Sequence, residues 1–131
     1  MTKIIVTEKA PQAIGPYSQA VVTGNMVYTS GQIAINPKTG NVETDTIQAQ
    51  TEQVCRNIAE LLKASGSGIE KVVKTTCFLK NMEDFGAFNA VYEKYFVSKP
   101  ARSCVAVREL PKNVLVEIDT VAVLTLEEVT P

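Results

Sequence analysis

Four residues near the carboxyl end carry groups that could do chemistry on a small acid: Arg102, Cys104, Glu117 and Asp119. An arginine presents a fork of N–H donors that grips a carboxylate at two points, a geometry lysine does not copy. A glutamate set in the middle of a strand can orient a water, take its proton or pass one on. The chain has no histidine. That removes histidine zinc sites, serine or cysteine nucleophiles activated by histidine, and histidine acid–base catalysis. Any reaction must be run by Arg, Glu, Asp, Tyr, Cys, Ser or backbone groups. With no such base, Cys104 is read as lining a pocket and offering its backbone N–H, and only Arg102 is at hand to lower its pKa.

The run from Val114 to Leu124 explains why the two acids stand out. Val114, Val116, Ile118, Ala122 and Leu124 share one face with Thr120, while Leu115, Glu117, Asp119, Val121 and Val123 share the other. An acid half-hidden on a sheet needs a partner or gives up its charge. Leu110-Pro111-Lys112-Asn113 has turn chemistry. The expectation is a hairpin of Arg102–Val107 with the following strand, which puts Glu117 opposite positions 104 to 106. In that register a guanidinium, a thiol and a carboxylate meet at one patch. Structural readings compete: Arg102 as a paired strand-edge charge, Glu117 as a partner of Lys74 or Arg108, and Asp119 as a structural or interface acid.

Other candidates lie elsewhere. Tyr17 follows Gly15-Pro16, and Ser30-Gly31-Gln32 ends a strand where glycine permits an unusual backbone angle or a close approach. Asn89 sits beside an aromatic helical stripe, facing a ligand or solvent. The elements that must hold these groups follow from periodicity. Strands are expected at Ile4–Val6, Tyr17–Thr23, Met26–Ser30 and Lys71–Lys80, the last with Val73, Thr75, Cys77 and Leu79 on one face. Gly24-Asn25 marks a hairpin, and the segment around Asn36-Pro37-Lys38-Thr39-Gly40-Asn41 a surface loop. A helix over 46–65 is capped by Thr44 or Asp45 and ended by Gly66, with Ile47, Val54, Ile58, Leu61 and Leu62 inward and Gln50 and Asn57 outward. Asn81 caps a second helix with the stripe Phe85, Phe88, Tyr92, Tyr95 and Phe96, and Pro100 forces extended chain after it. Cys55 and Cys77 read as core.

The order is β-β-β-α-β-α-β-β, an α+β chain with two helices on one face of one sheet. Apolar residues on both strand faces call for a second copy, hence a homo-oligomer. With 131 residues, 1–131 reads as one domain. A net charge of −1 offers no footprint for nucleic acid or an anionic membrane, and no run of about 18 apolar residues is present. The amino end lacks a signal peptide's pattern, and three widely spaced cysteines fit reduced thiols, so a cytoplasmic setting is expected.

Three motifs in order, Ala13-Ile14-Gly15-Pro16-Tyr17-Ser18-Gln19-Ala20, Thr29-Ser30-Gly31-Gln32, and Pro100-Ala101-Arg102-Ser103-Cys104-Val105 through Val116-Glu117-Ile118, resemble the RidA/YjgF/YER057c/UK114 family of reactive-imine deaminases. The resemblance implies a chorismate-mutase-like fold with a mixed sheet, a homotrimer with clefts between subunits, and hydrolysis of 2-imino or enamine acids to 2-oxo acids and ammonia. It implies no metal and no organic cofactor. Carried over by position, Arg102 holds the substrate carboxylate, Glu117 holds the water, and Tyr17, Ser30, Gly31, Asn89 and Cys104 complete the site. A binding or regulatory module for 2-oxo acids or amino acids is the rival reading, since a carboxylate clamp serves either purpose.

Overall fold

A computed structural model describes residues 2–126. Six strands form one sheet in the order β1-β2-β3-β8-β6-β7, with β1 Thr2–Ile5, β2 Ala20–Thr23, β3 Met26–Thr29, β6 Val72–Leu79, β7 Ala101–Ala106 and β8 Val116–Val123. A two-stranded ribbon, β4 Ile35–Asn36 with β5 Asn41–Val42, forms within the stretch expected to be loop. Helices α1 Ile47–Ala64 and α2 Phe85–Tyr95 cover one face, so the α+β class with two helices on a mixed sheet holds.

The expected hairpin does not form. The turn at Pro111–Asn113 exists, but β6 stands between the strands it joins, antiparallel to β8 and parallel to β7. The reason lies in α2. A helical crossover returns the chain parallel to the strand it left, so β7 docks on the outer edge of β6 and β8 takes the inner one. Strand β6 has the residues for that central place: Val72, Thr75, Cys77 and Leu79 are fully buried beneath the helices. A register shift between Val72 and Lys74 turns Val73 outward, where it is 41% exposed, against the expectation that it shares the face of Thr75.

Helix α1 buries Ile47, Val54, Cys55, Ile58, Leu61 and Leu62 as its spacing predicts. Its cap is Thr46, whose Oγ1 accepts from Ala49 N at 3.1 Å, rather than Thr44 or Asp45. Gly66 at φ +85° closes the other end, as expected. Gln50 and Asn57 are buried rather than outward, because each satisfies loop backbone: Gln50 bonds Thr44 O and Leu115 N, and Asn57 bonds Ile33 O and Ile35 O. At α2 a single turn, Met82–Asp84, precedes the helix, and Asn81 makes no side-chain cap bond. Phe88, Tyr92 and Phe96 are buried in that helix's face as a ladder of rings, with Phe88–Tyr92 centroids 5.5 Å and Tyr92–Phe96 centroids 4.3 Å apart.

Candidate functional site

Strand β8 alternates as its sequence demands. Val116, Ile118, Thr120 and Ala122 are buried under the helices, and Glu117, Asp119, Val121 and Val123 line the open face half-buried. Rows across the sheet then fix where every other group points. Glu117 lies opposite Phe78, which lies opposite Val105, all on the open face. Arg102 and Cys104 lie opposite Thr75 and Cys77, on the helix-covered face. Arg102 and Cys104 therefore share a face as expected, but Glu117 of the same chain is on the other side of the sheet. The pairing through β6, not a slip in register, separates them.

Around Glu117 the geometry is close. Gln32 and Ile118 exchange backbone bonds, N to O at 2.8 Å and 3.1 Å, which ties the segment after β3 onto β8. This sets Gly31 directly over the glutamate: a Cβ there would lie 2.8 Å from Cδ and 3.1 Å from Cγ of Glu117. The glycine serves close approach, not an unusual backbone angle. Ser30 Oγ donates to Ser18 O at 2.6 Å and its N–H to Gln19 O at 2.9 Å. Gln19, in the first of the three motifs, has a structural role that its position in the sequence does not announce. Buried, it accepts from Thr7 N at 2.8 Å and donates to the carbonyls of Thr7, Ala10 and Pro11, holding the loop that carries Tyr17. A polar residue at the foot of a Pro/Gly-rich loop was the available signal. Tyr17, Ser30, Gly31 and Glu117 line one cavity of about 460 Å3, together with Ile14, Ile33, Ile35 and Lys112.

Burial pushes the Glu117 carboxyl above the usual range, and the charge of Asp119 two residues on pushes it further. Asp119 is also raised, by burial first, with a Thr76 hydrogen bond and Lys74 acting in the opposite direction. Lys74 thus bears on Asp119, and among the described residues Glu117 forms no ion pair within 4.0 Å.

Arg102 belongs to a second region. Its Nη1 donates to Asn89 Oδ1 at 2.7 Å, and the guanidinium lies 4.8 Å from the Tyr92 ring centroid and 5.4 Å from that of Phe85. Asn89 thus faces a side chain of the chain itself. Two aromatic faces and one amide hold the guanidinium plane while leaving most of its donors open. Cys104 is half-buried beside it. Burial raises its thiol pKa, with Arg102 pulling the other way, so the thiol is a poor nucleophile. Cys77 behind it is pushed up to about 12 by burial, and burial raises Cys55 as well, as core thiols. The seven expected residues thus form two groups: Tyr17, Ser30, Gly31 and Glu117 in one cavity, and Asn89, Arg102 and Cys104 by the edge strand β7.

A family model described as endoribonuclease L-PSP matches residues 7–124. The chain belongs to this family, the RidA/YjgF family. A Lactococcus lactis protein that carries the name of a regulator, AldR, is 54% identical over 92% of this chain and 96% of its own length. An Escherichia coli protein named 2-iminobutanoate/2-iminopropanoate deaminase is 50% identical over 94% of this chain and 98% of its own. Among solved structures, a Yersinia pestis protein of the Rid family, YyfA, superposes with a TM-score of 0.91 at 45% identity, covering 94% of this chain and 99% of that one. Among the described residues no helix is long and apolar enough to cross a membrane.

Proposed function

We propose that the protein hydrolyses 2-imino acids and their enamine tautomers to 2-oxo acids and ammonia, in clefts where the Glu117 cavity of one copy meets the β7 edge of the next in a cyclic homotrimer. The observation that carries this reading is the split of the candidate site. A carboxylate and a guanidinium on opposite faces of one sheet cannot both touch a four-carbon acid from the same chain. A head-to-tail contact, in which one patch meets a different patch of a neighbour, joins them and closes after a few copies. The open face supports it, since Tyr28 and Val105 are 46% and 48% exposed beside half-buried Val121 and Phe78. Relatives near 50% identity named as imine deaminases support the reaction class.

In the proposed chemistry Arg102 holds the substrate carboxylate in a two-point grip. Its orientation comes from Asn89, Phe85 and Tyr92. Glu117 accepts a hydrogen bond from a water and takes its proton as the water oxygen bonds to the imine carbon. The C=N electron pair moves to nitrogen, giving a carbinolamine. Glu117 returns the proton to nitrogen; the C–N bond then breaks as the hydroxyl oxygen's electron pair forms the C=O bond, the hydroxyl proton passes back to the Glu117 carboxylate, and ammonia leaves. The raised pKa of Glu117 suits both halves, since a carboxylate nearer neutrality is a better base and, once protonated, a usable acid. Fixing water and acid together removes several kcal/mol of barrier by positioning alone.

Timed ammonia release from freshly generated 2-iminobutanoate tests this. Arg102→Ala abolishes turnover, and Arg102→Lys lowers kcat/KM by about a hundredfold, because one point charge replaces a fork. Undiminished rates remove Arg102 from the mechanism. A second reading, a ligand-binding regulator, is favoured by the name of the Lactococcus relative. Under it, Glu117→Gln retains affinity for 2-oxo acids and there is no wild-type turnover to lose.

A further inference from the structure

We infer that Lys112 selects substrates with a second acid group, 2-imino acids whose side chain itself ends in a carboxylate; this rests on the deaminase reading of the Glu117 cavity. The cavity wall is otherwise neutral and largely apolar, with Pro11, Ile14, Ile33, Ile35 and Pro111 among its lining residues. Its two charged residues are Glu117 and Lys112. Glu117 repels an anionic side chain. Such a substrate is admitted only if a cation compensates, and Lys112 is the one the wall offers.

The backbone of Lys112 adds an independent observation. It stands at φ +54°, ψ +21°, in the left-handed region that glycine, asparagine and aspartate occupy readily and lysine does not. Asn113 follows at φ +55°, so both central residues of the turn have the mirror-image handedness of a type I′ turn. The turn is well tied, with Val114 N donating to Pro111 O at 3.3 Å and Lys80 Nζ to Asn113 Oδ1 at 2.8 Å. The turn itself asks for glycine or asparagine at position 112. A lysine in that strained place is explained by what its side chain does. Among the described residues Lys112 makes no ion pair within 4.0 Å, so its charge is not committed to holding the fold. A flexible ammonium accepts carboxylates over a range of positions, which fits side chains of differing length.

The experiment compares kcat/KM for the five-carbon imino diacid, generated in situ from glutamate by an amino-acid oxidase, with that for 2-iminobutanoate. The ratio is measured for the wild type, Lys112→Met, Lys112→Gly and Lys112→Arg. The expected result is a fall in the diacid-to-monoacid ratio of at least about tenfold in the Met and Gly variants, mostly through KM, with recovery in the Arg variant. Lys112→Gly is expected to melt at or above the wild-type temperature, because the left-handed strain is gone. An unchanged ratio with both rates falling together, or an unchanged ratio with a lower melting temperature, overturns the proposal and leaves general steering or a structural role. If the wild type turns over neither substrate, the deaminase reading fails. Calorimetric affinities of 2-oxoglutarate and 2-oxobutanoate for wild type and Lys112→Met then decide the Lys112 inference alone. A ratio that drops about tenfold supports it, and equal ratios overturn it.

Discussion

Glu117 carries two opposed demands, and both are measurable. Its carboxyl is raised in the fold by burial and then by Asp119, so folding favours the protonated form. The stability it contributes is complete below its unfolded pKa and is lost as pH rises through the higher folded value. At neutral pH the charged group is therefore a liability to the fold. Glu117→Gln is expected to melt higher than wild type at pH 7, with the advantage shrinking toward pH 4, while turnover disappears. Thermal melts at the two pH values, paired with ammonia release, check it. Under the proposed mechanism turnover requires the carboxylate, so kcat/KM is expected to fall as pH drops through the raised pKa. Asp119→Asn removes one cause of the elevation, and the acid limb of the pH–rate profile is expected to move to lower pH. A limb that stays put assigns it to another group. The acid on a β-strand face was legible from alternation alone. The buried roles of Gln19, Gln50 and Asn57 were not, because their partners are loop carbonyls and amides far along the chain that no periodicity marks.

At the scale of elements, the site depends on β8 being clasped from both sides. Gln32 bridges Ile118 on one side and β6 pairs it on the other, so Gly31 and Glu117 are held against each other. Gly31→Ala pushes a methyl into the Glu117 carboxylate. The expected cost is about a hundredfold in kcat/KM, the order associated with misplacing a catalytic group by an ångström, with Glu117 still present. Steady-state kinetics of a variant confirmed folded by circular dichroism measure it, and wild-type rates mean the contact is not used. Most strands and both helices could be read from their spacing, since burial on one face imposes it. The neighbour of Arg102–Ala106 could not. A proline-containing turn looks the same whether its flanking strands pair directly or straddle a third, and here the α2 crossover had already committed β7 to the far edge of β6.

For the whole molecule, the account predicts that no copy carries a working site alone. The two groups of candidate residues face different sides of the sheet, and under the proposed function contact between copies joins them. Oligomers refolded from a mixture of two inactive variants test this most directly. Arg102→Ala copies retain Glu117, and Glu117→Gln copies retain Arg102. Unfolded together in equal amounts and refolded, the two populate interfaces at random, and about one in four joins an intact Glu117 to an intact Arg102. Activity is expected to return to roughly a quarter of the wild-type value in the mixture, with each variant inactive by itself. A mixture shown by mass spectrometry to contain hybrid oligomers, yet no more active than either parent, contradicts the shared cleft.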